Sequence, residues 1–446
     1  MRITLIKPNM GRMMNGVYID EGRMEPLQLG IIAALTPQDV EVKMYDDRME
    51  EIPYDENTNL VVITVETFTA KRSYEISSEF RKRGVKVIMG GMHPTLYPEE
   101  VREHCDSIAK GDAELIWSEI IEDLKSGNLK KEYMGEFGEP QSGVFTRRDI
   151  FKGKGYLPFS LIQFSRGCKY GCEFCASSVY FKKNHYCRKV ESVVNEIKSQ
   201  KLKLLFFVDD NIVSDREKAK ELFRALIPLK IKWFSQASMD MTEDLELMKL
   251  MAESGCLGNV VGFESLNAEN LIEVSKTPNI NNGKLFREQI NIMRDYNLQN
   301  WAAFTVGYDH DTKDSIKRTA EFAIKNKFAF AAFNILMPYP NTKLYNKLLE
   351  ENRLLYDGKW WIHDDYRFNN AAFKPKNMSA DELTEAAFQA RKMFNSPYSI
   401  FTRSLDLKTH MSSLFRYVTY YTYNPLFRKE VYKKQGLIFG KDENKK

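Results

Sequence analysis

Three cysteines within eight positions constrain this chain more than any other feature of its sequence. They are Cys168, Cys172 and Cys175, in a C-x3-C-x2-C arrangement. Three thiolates at this spacing can hold three irons of a [4Fe–4S] cluster and leave the fourth iron open to an outside ligand. A structural zinc site is the competing interpretation, and it usually has four ligands, of which His185 or Cys187 could supply one. The residues that follow the loop favour the iron–sulfur cluster.

The cysteine count limits the cluster to one. The chain has 446 residues and six cysteines, too few for a disulfide-stapled fold of this length. Only Cys105 precedes the three-cysteine loop, and no cysteine follows Cys256. We therefore expect a single cluster and free thiols at Cys105, Cys187 and Cys256.

The stretch 159–341 alternates between short apolar runs and helix-favouring segments. Val190, Val193, Val194 and Ile197 form one face of the first helix after the cysteines. Six consecutive strand–helix units favour an open, partial (β/α)6 barrel, whose chemistry lies at the carboxyl ends of its strands. After the strand at Phe159, the expected strands are Leu204–Val208, Lys232–Ser238, Asn259–Phe263, Asn300–Val306 and Phe330–Leu336.

Residues 1–134 also alternate strand and helix, and they predict an α/β domain with a doubly wound, Rossmann-like parallel sheet. The expected strands are Arg2–Lys7, Val40–Tyr45, Asn59–Val65, Val85–Met89 and Ser107–Ala109. A Gly- and Pro-containing linker at 135–158 follows. Ligands of such sheets bind in the loops after the strands.

Two of these loops have residues that suit a large flat ligand. The candidate contacts are Thr64, Thr67, Gly90, Gly91, His93 and Thr95. Paired glycines permit close backbone approach to a ligand. The alternative is that Gly90-Gly91 is a tight turn and His93 an ordinary loop histidine.

The region 342–446 is expected to be mainly helical, with one helix from about Ala380 to Asn395. The aromatic segment Trp360–Phe368 could line a substrate pocket or simply pack. The stretch Tyr417–Lys434 is rich in Tyr, Phe, Lys and Arg. It could contact RNA or a membrane surface, or be a surface helix with snorkelling side chains.

Charge and hydropathy exclude several classes of function. The net charge is +4, which gives no reason to expect nucleic-acid binding. No apolar run approaches the roughly 18 residues that a membrane span needs. The chain starts without a signal-peptide pattern, so we expect a cytoplasmic protein.

Taken together, the cysteine loop, the six strand–helix units and their strand-end residues resemble the radical S-adenosylmethionine (radical SAM) superfamily. The segment Asn59–Glu114, with Gly90-Gly91-Met-His-Pro-Thr95 and Lys110-Gly111-Asp-Ala-Glu114, resembles the cobalamin (B12)-binding-type domain fused to some radical SAM cores. The Asp-x-His-x-x-Gly motif that supplies a histidine to cobalamin is absent, so no histidine ligand from that motif is expected.

The resemblance implies roles for particular residues. Cys168, Cys172 and Cys175 would ligate the [4Fe–4S] cluster, and its open iron would bind SAM. Asp209 and Asp210 would serve SAM, substrate or proton transfer as catalytic groups, unless they cap the helix after the second strand. The remaining SAM contacts would be Phe174 on the adenine side, Gly262, Glu264 and Ser265 at the ribose and methionine, and Gln236 as a polar contact.

The reaction that the resemblance implies is radical chemistry on a small molecule, with electrons from an external donor of the flavodoxin or ferredoxin type. We expect cobalamin-dependent methylation of an unactivated carbon or phosphorus. The alternatives are a cobalamin-independent reaction, such as cyclisation, rearrangement or 3-amino-3-carboxypropyl transfer to trivalent arsenic, or a non-catalytic cobalamin or iron–sulfur sensor.

Overall fold

The computed structural model describes residues 1–13, 16–17, 22–280 and 286–440, which form two compact units. The first contains Met1–Leu157, Tyr356–Phe368 and the residues from Gly436 on. The second contains Pro158–Leu355 and Asn369–Gln435. The sequence assigned all of 342–446 to one region, whereas two of its segments belong to the first unit.

A parallel sheet of six strands is the centre of the first unit, in the order β4-β1-β5-β6-β7-β8. Each strand of this sheet overlaps its expected range where one was given, so the doubly wound α/β prediction is confirmed. The strands of the first unit are β1 Arg2–Lys7, β2 Gly11–Met13, β3 Gly16–Val17, β4 Glu41–Asp46, β5 Leu60–Thr64, β6 Lys86–Gly90, β7 Ser107–Gly111 and β8 Glu132–Gly135. Of these, β2 and β3 lie outside the six-stranded sheet and pair with each other.

The strand order reverses beside β1, because β4 lies on one side of it and β5 on the other. In open sheets of this kind the crevice at the carboxyl ends of such strands is the usual ligand site. The helices are α1 Leu27–Leu35, α2 Ala70–Lys82, α3 Met92–Leu96, α4 Pro98–His104 and α5 Trp117–Ser126, with 3₁₀ turns at Thr67–Thr69, Ala113–Leu115, Arg148–Phe151 and Tyr356–Gly358.

The carboxyl-terminal segments complete the first unit. A short strand at Ile438–Phe439 pairs with β2. Trp360 and Trp361 are fully buried, and Phe68 contacts the Trp360 and Phe439 rings at 5.1 and 6.1 Å. Of the two alternatives for the aromatic segment, packing is therefore the correct one.

The second unit has its own six-stranded parallel sheet, whose strands follow one another in chain order from β9 through β12, β13, β14 and β15 to β16. This order confirms the partial (β/α)6 barrel. A separate antiparallel pair, β10 and β11, flanks the cysteine loop. The strands are β9 Ser160–Ile162, β10 Ser165–Gly167, β11 His185–Cys187, β12 Leu204–Phe207, β13 Lys232–Ala237, β14 Cys256–Glu264, β15 Trp301–Val306 and β16 Phe330–Ile335.

Helices cover this sheet and bury its apolar face. Met239, Met241, Met248 and Met251 are fully buried in the core, as gap-filling side chains rather than sulfur ligands. The helices are α6 Ala176–Tyr180, α7 Val190–Ser199, α8 Arg216–Leu226, α9 Leu245–Glu253, α10 Ala268–Glu273, α11 Thr277–Ile280, α12 Phe286–Asp295, α13 Lys313–Lys325, α14 Lys343–Glu350, α15 Ala380–Phe394, α16 Pro397–Ser404 and α17 Leu414–Lys434, with 3₁₀ turns at Ile227–Leu229 and Met239–Glu243. Within the described residues, none of the helices combines the length and apolar character that crossing a membrane requires.

Candidate active site

The cysteine loop lies between β10 and α6, at the carboxyl end of β9. Cys172 is buried, and burial raises the pKa of its thiol to about 11. Burial likewise raises the pKa of Cys168, and the neighbouring Cys175 adds to both shifts. In the described residues no three Cys, His, Asp or Glu side chains are grouped as a bound metal ion requires.

Two adjacent carboxylates hold the start of this loop. Asp210 accepts hydrogen bonds from the Gly167 backbone N–H at 2.8 Å and from the Ser177 hydroxyl at 2.6 Å, on the two sides of the cysteines. Asp209 is fully buried and accepts from the Phe164 N–H at 3.2 Å and from both the N–H and the hydroxyl of Ser165. Burial raises the pKa of Asp209 to about 7.

The helix-capping alternative for these two residues is wrong. The cap of α8 is Asp215, whose side chain accepts from the Lys218 N–H at 3.0 Å. Asp209 and Asp210 instead hold β10 and the cysteine loop in place. Their hydrogen bonds go to residues that flank the cysteines and not to the thiols themselves.

Asn211 is a neighbour of the loop that the sequence reasoning missed. Its amide nitrogen lies 3.7 Å from Sγ of Cys168 and 3.0 Å from the Ser238 hydroxyl, while its amide oxygen accepts from the Ser238 N–H at 3.1 Å. Gln236 donates to the Asp209 carbonyl at 3.2 Å, so its amide contacts the strand end beside the loop. The run Asp209-Asp210-Asn211 after β12 was the available signal.

Glu264, at the end of β14, is buried and paired. It adopts a φ of 61°, which is rare for a residue other than glycine. Its two oxygens accept from the Lys276 ammonium and from the Thr305 hydroxyl, each at 2.8 Å. Gly262 faces this pair, and a Cβ there would collide with the carboxylate and lie 2.9 Å from Nζ of Lys276.

Lys276 brings a positive charge to the cysteines. Its side chain is 15 % exposed. Burial lowers its pKa. Glu264 and the Cys172 and Cys175 thiols raise the pKa by more than burial lowers it, so the net shift is upward. Nothing in the sequence around Lys276 marks it, because it lies in the turn between α10 and α11.

Tyr308, directly after β15, is 2 % exposed, and its hydroxyl has no hydrogen-bond partner among the described residues. Burial raises its pKa, and the charges of Glu264 and Cys172 add to the shift, while the nearby Thr305 hydroxyl, which donates to Glu264, opposes it. Backbone N–H groups of Gly307 and Tyr308 bind Asp311 at 2.9 and 3.1 Å, which fixes the loop that holds the ring.

Of the expected SAM contacts, Phe174 packs partly buried against the barrel core. The hydroxyl of Ser265 accepts from Asn267 N–H at 3.1 Å and from the Asn270 amide at 3.0 Å, so it is occupied within its own loop. The charges of Cys172 and Glu264 act on both Lys276 and Tyr308, so these four side chains lie near one another.

A cavity of about 710 Å³ opens beside the cysteine loop. Charged and polar side chains from the loops after β10, β12 and β13 line it, including Lys169, Tyr170, Asp215, Arg216 and Asp240. This volume lies within the range of small-molecule sites.

In the first unit, the expected ligand contacts are largely engaged by the protein itself. Thr95 accepts from Gly111 N–H at 2.9 Å and donates to the Gly91 carbonyl at 2.9 Å. Gly91 has a φ of 117°, and a Cβ there would lie 2.9 Å from the Val65 carbonyl oxygen. Gly90 ends β6, Thr67 is buried, and Thr64 lies 3.4 Å from the Gln28 amide.

His93 is fully buried. Its Nε2 lies 3.3 Å from the Tyr74 hydroxyl and 3.5 Å from Glu100, which also accepts from Trp361 at 2.9 Å. Burial alone would raise the pKa of Glu100, but these hydrogen bonds lower it to about 2. His93 is thus a buried core residue of α3, and neither an open ligand contact nor an ordinary loop histidine.

The reversal point of the sheet carries an ion pair. Lys7, at the end of β1, lies 2.7 Å from Glu66, directly after β5 and Val65, and the Glu66 side chain is 54 % exposed. The Lys7 ammonium lowers the pKa of Glu66. Glu66 is therefore the exposed member of this pair, and Lys7 is the buried one.

Comparison with known proteins finds a family model that matches part of the second unit. Residues 162–323 match the family model of the Radical SAM superfamily. Bacteriochlorophyllide d C-12(1)-methyltransferase of Chlorobaculum tepidum is 28 % identical over 384 residues, which cover 83 % of this chain and 82 % of that protein.

Two solved structures share the fold. The radical SAM methyltransferase TsrM from Kitasatospora setae, with cobalamin and a [4Fe–4S] cluster bound, has a TM-score of 0.62 at 17 % identity and covers 78 % of each chain. The cobalamin-dependent SAM radical enzyme OxsB has a TM-score of 0.65 at 14 % identity, over 96 % of this chain and 71 % of that one.

Proposed function

We propose that this chain, which is a radical SAM enzyme whose first unit has the fold of a B12-binding domain, methylates an unactivated carbon of a small molecule. The observation that carries the proposal is the extent of the likeness to the methyltransferase of Chlorobaculum tepidum. That likeness spans 83 % of the chain and is not confined to residues 162–323. It therefore includes most of the first unit as well as the barrel.

Cys168, Cys172 and Cys175 would hold the [4Fe–4S] cluster. They fit it in chemistry, because the three thiols share one loop, and Cys175 lies close enough to the other two to contribute to their raised pKa values. Asp209 and Asp210 hold the backbone on either side of them in place. When bound, the cluster supplies the electron for the reductive cleavage of SAM. Because the carboxyl groups of both aspartates are occupied by hydrogen bonds to the residues that flank the cysteines, we assign both as positioning residues.

The residues around Glu264 would bind and orient SAM. The Lys276 ammonium holds the Glu264 carboxylate in place and brings positive charge next to the cysteines. The Tyr308 hydroxyl has a hydrogen bond left to donate in a site that excludes water. Phe174 supplies an apolar surface and Gln236 a polar edge at the strand end.

Cobalamin would be held at the carboxyl edge of the first sheet, and it would supply the methyl group. The strand order fits such a domain, and the loops after β1 and β5 present Lys7 and the exposed Glu66 there. His93 is enclosed in the core, so it would not be among the residues that hold the group. Backbone groups of the 64–67 and 90–95 loops would make the closest contacts.

The reductant is an external donor, for which we propose a flavodoxin or ferredoxin type. None of the six cysteines forms a disulfide in the described residues, which suits a reducing compartment. We therefore propose a cytoplasmic location.

The test is anaerobic reconstitution with iron, sulfide and hydroxocobalamin, followed by desalting and analysis of bound iron and cobalt. The protein is then incubated with SAM and a chemical reductant, and 5′-deoxyadenosine and S-adenosylhomocysteine are quantified. We expect about four irons and one cobalt per chain and both products.

The Cys172→Ala variant should lose the cluster spectrum and 5′-deoxyadenosine but retain cobalt. Iron without cobalt, with 5′-deoxyadenosine as the one product, would contradict the methyl transfer and leave a cobalamin-independent radical reaction. Full cluster occupancy in Cys172→Ala would contradict the ligand assignment.

A further inference from the structure

A large apolar surface lies on the helical hairpin formed by α16, the turn 405–413 and the start of α17. Nine of the twenty large apolar side chains that are exposed in the described residues fall within positions 398–418. Isolated exposed apolar residues are ordinary, whereas a concentration of this kind marks an interaction surface. Six of them define it: Tyr398, Phe401, Leu405, Leu407, Leu414 and Val418.

The hairpin is firmly attached by its opposite face. Arg403 is fully buried and donates to the carbonyl groups of Phe328 and Ala329 at 2.7 and 2.9 Å. The Tyr420 hydroxyl donates to the Ile400 carbonyl at 2.8 Å and thereby joins α17 to α16. Tyr398, Phe401 and Leu405 follow the spacing of one helical face, so the outward orientation is set by the packing.

The exposed charges within residues 396–434 are positive. This stretch contains seven Lys and Arg, of which Arg403 and Arg416 are buried, and two acidic residues. Both acidic residues are buried: Asp406 is 2 % exposed and Glu430 is 7 % exposed. Within this described stretch no exposed side chain carries a negative charge. Lys408 and Lys429 are exposed, and Lys408 also pairs with Asp295.

We propose that this hairpin docks the enzyme on the surface of an anionic lipid bilayer. Leu407 and Leu414 are 79 % and 78 % exposed, so they project from the surface rather than line a groove. A fluid lipid interface accepts projecting apolar side chains without a complementary shape, and basic residues beside them attract anionic headgroups. A protein partner would instead be expected to find few lysines at its contact.

The experiment is vesicle flotation of the reconstituted full-length protein. Vesicles of phosphatidylcholine alone are compared with vesicles that also contain phosphatidylglycerol, at low and high salt. We expect at least tenfold tighter binding to the anionic vesicles, and loss of that preference at high salt. The double variant Leu407→Ser/Leu414→Ser should bind at least tenfold more weakly.

The matched control is Leu115→Ser/Ile272→Ser. Leu115 and Ile272 are each 61 % exposed and lie outside the hairpin. It should bind vesicles as the unaltered protein does. Circular dichroism and thermal unfolding confirm that both double variants fold. The assay needs no catalysis, so its outcome is independent of the proposed methyl transfer.

Three results would overturn the proposal. The first is the absence of binding to anionic vesicles at millimolar lipid, and the second is binding that the Leu407→Ser/Leu414→Ser variant retains in full. The third is a dimer in light scattering that is absent in this variant, since the surface would then bind a second copy of the chain.

Discussion

The ammonium of Lys276 lies 2.8 Å from the carboxylate of Glu264, beneath the cysteine loop and with little access to water. Glu264 reaches it from the end of β14 with a left-handed backbone, and Thr305 on β15 donates to the other oxygen. The pair is thus surrounded by groups from two strands. A buried charge of this kind is costly once its partner is removed.

Replacing Lys276 by Met should destabilise the protein by about 3–5 kcal/mol, because Glu264 is left buried without a counter-charge. We also expect SAM cleavage to fall at least tenfold. Urea unfolding of the apoprotein and 5′-deoxyadenosine formation measure the two effects. The control is Lys313→Met, which breaks the exposed Lys313–Glu382 pair and should cost less than about 1 kcal/mol. Equal losses in the two variants would contradict the importance of the buried pair.

Gly91→Ala should destabilise the first unit by about 1–3 kcal/mol, because its backbone conformation disfavours a side chain. At a φ of 117° the new Cβ would also press on the Val65 carbonyl oxygen at 2.9 Å. Gly138→Ala is the control, since a Cβ there meets no atom within 4 Å. Thermal unfolding of the two variants gives the comparison, and a Gly91→Ala protein as stable as Gly138→Ala would show that the loop relaxes freely.

Asp210→Ala should weaken retention of the cluster. It removes the acceptor for both Gly167 N–H and the Ser177 hydroxyl, on the two sides of the cysteines. We expect less iron per chain after reconstitution and at least fivefold faster bleaching of the cluster spectrum in the presence of a chelator. Ser177→Ala, which removes one of the two bonds, should show a smaller effect. If Asp210→Ala holds a full and stable cluster, the aspartate does not position the loop.

Much of the fold was predictable because its strands read as short apolar runs. β1 and β5 are buried on both faces, whereas strands of the second sheet such as β13 and β15 alternate buried and half-buried residues. β1 matches its expected range, and the ends of the other strands with an expected range differ from it by no more than three residues. What escaped the sequence is the path of the chain after residue 341. The Tyr356–Phe368 segment and Ile438–Phe439 return to the first unit through contacts with residues far away in sequence, such as Phe68 and β2. No local pattern encodes such contacts.

The site divides in the same way. The cysteines and Glu264 lie in recognisable motifs, whereas Asn211, Lys276 and Tyr308 matter through their three-dimensional neighbours. His93 shows the opposite error, because a polar residue in a Gly-rich loop was expected at the ligand edge. Its burial against Tyr74, Glu100 and Trp361 depends on a segment more than 250 residues away.

The free energy of unfolding of the apoprotein should depend on pH through the titration of Asp209. Burial raises its folded pKa to about 7, above the unfolded value near 3.8. On raising the pH, the unfolded chain releases this proton before the folded protein does. The contribution of Asp209 to the free energy of unfolding is therefore full below pH 3.8 and is lost as the pH rises towards 7, by up to about 1.4 kcal/mol per pH unit. The stability difference between the unaltered protein and Asp209→Asn should therefore fall from pH 5 to 7 and level off above 7.5. A constant difference in urea unfolding over this range would contradict the raised pKa.

Tyr308→Phe should have opposite effects on stability and on SAM. The hydroxyl is buried without a partner among the described residues, and an unsatisfied buried polar group costs about 1–3 kcal/mol. Its removal should therefore stabilise the apoprotein or leave it unchanged. If the hydroxyl donates to bound SAM, the same variant should bind SAM at least fivefold more weakly in anaerobic equilibrium dialysis.

The control for Tyr308→Phe is Tyr420→Phe, which loses the 2.8 Å hydrogen bond to the Ile400 carbonyl far from the cysteine loop. It should lower stability by about 1 kcal/mol and leave SAM binding unchanged. A purely structural hydroxyl at Tyr308 would behave as Tyr420 does, with a loss of stability and no change in affinity. A hydroxyl that binds SAM gives a different result: its removal raises the stability of the apoprotein and lowers the affinity for SAM. The reason is that a buried polar group destabilises the protein when it has no partner and stabilises the complex when the ligand supplies one.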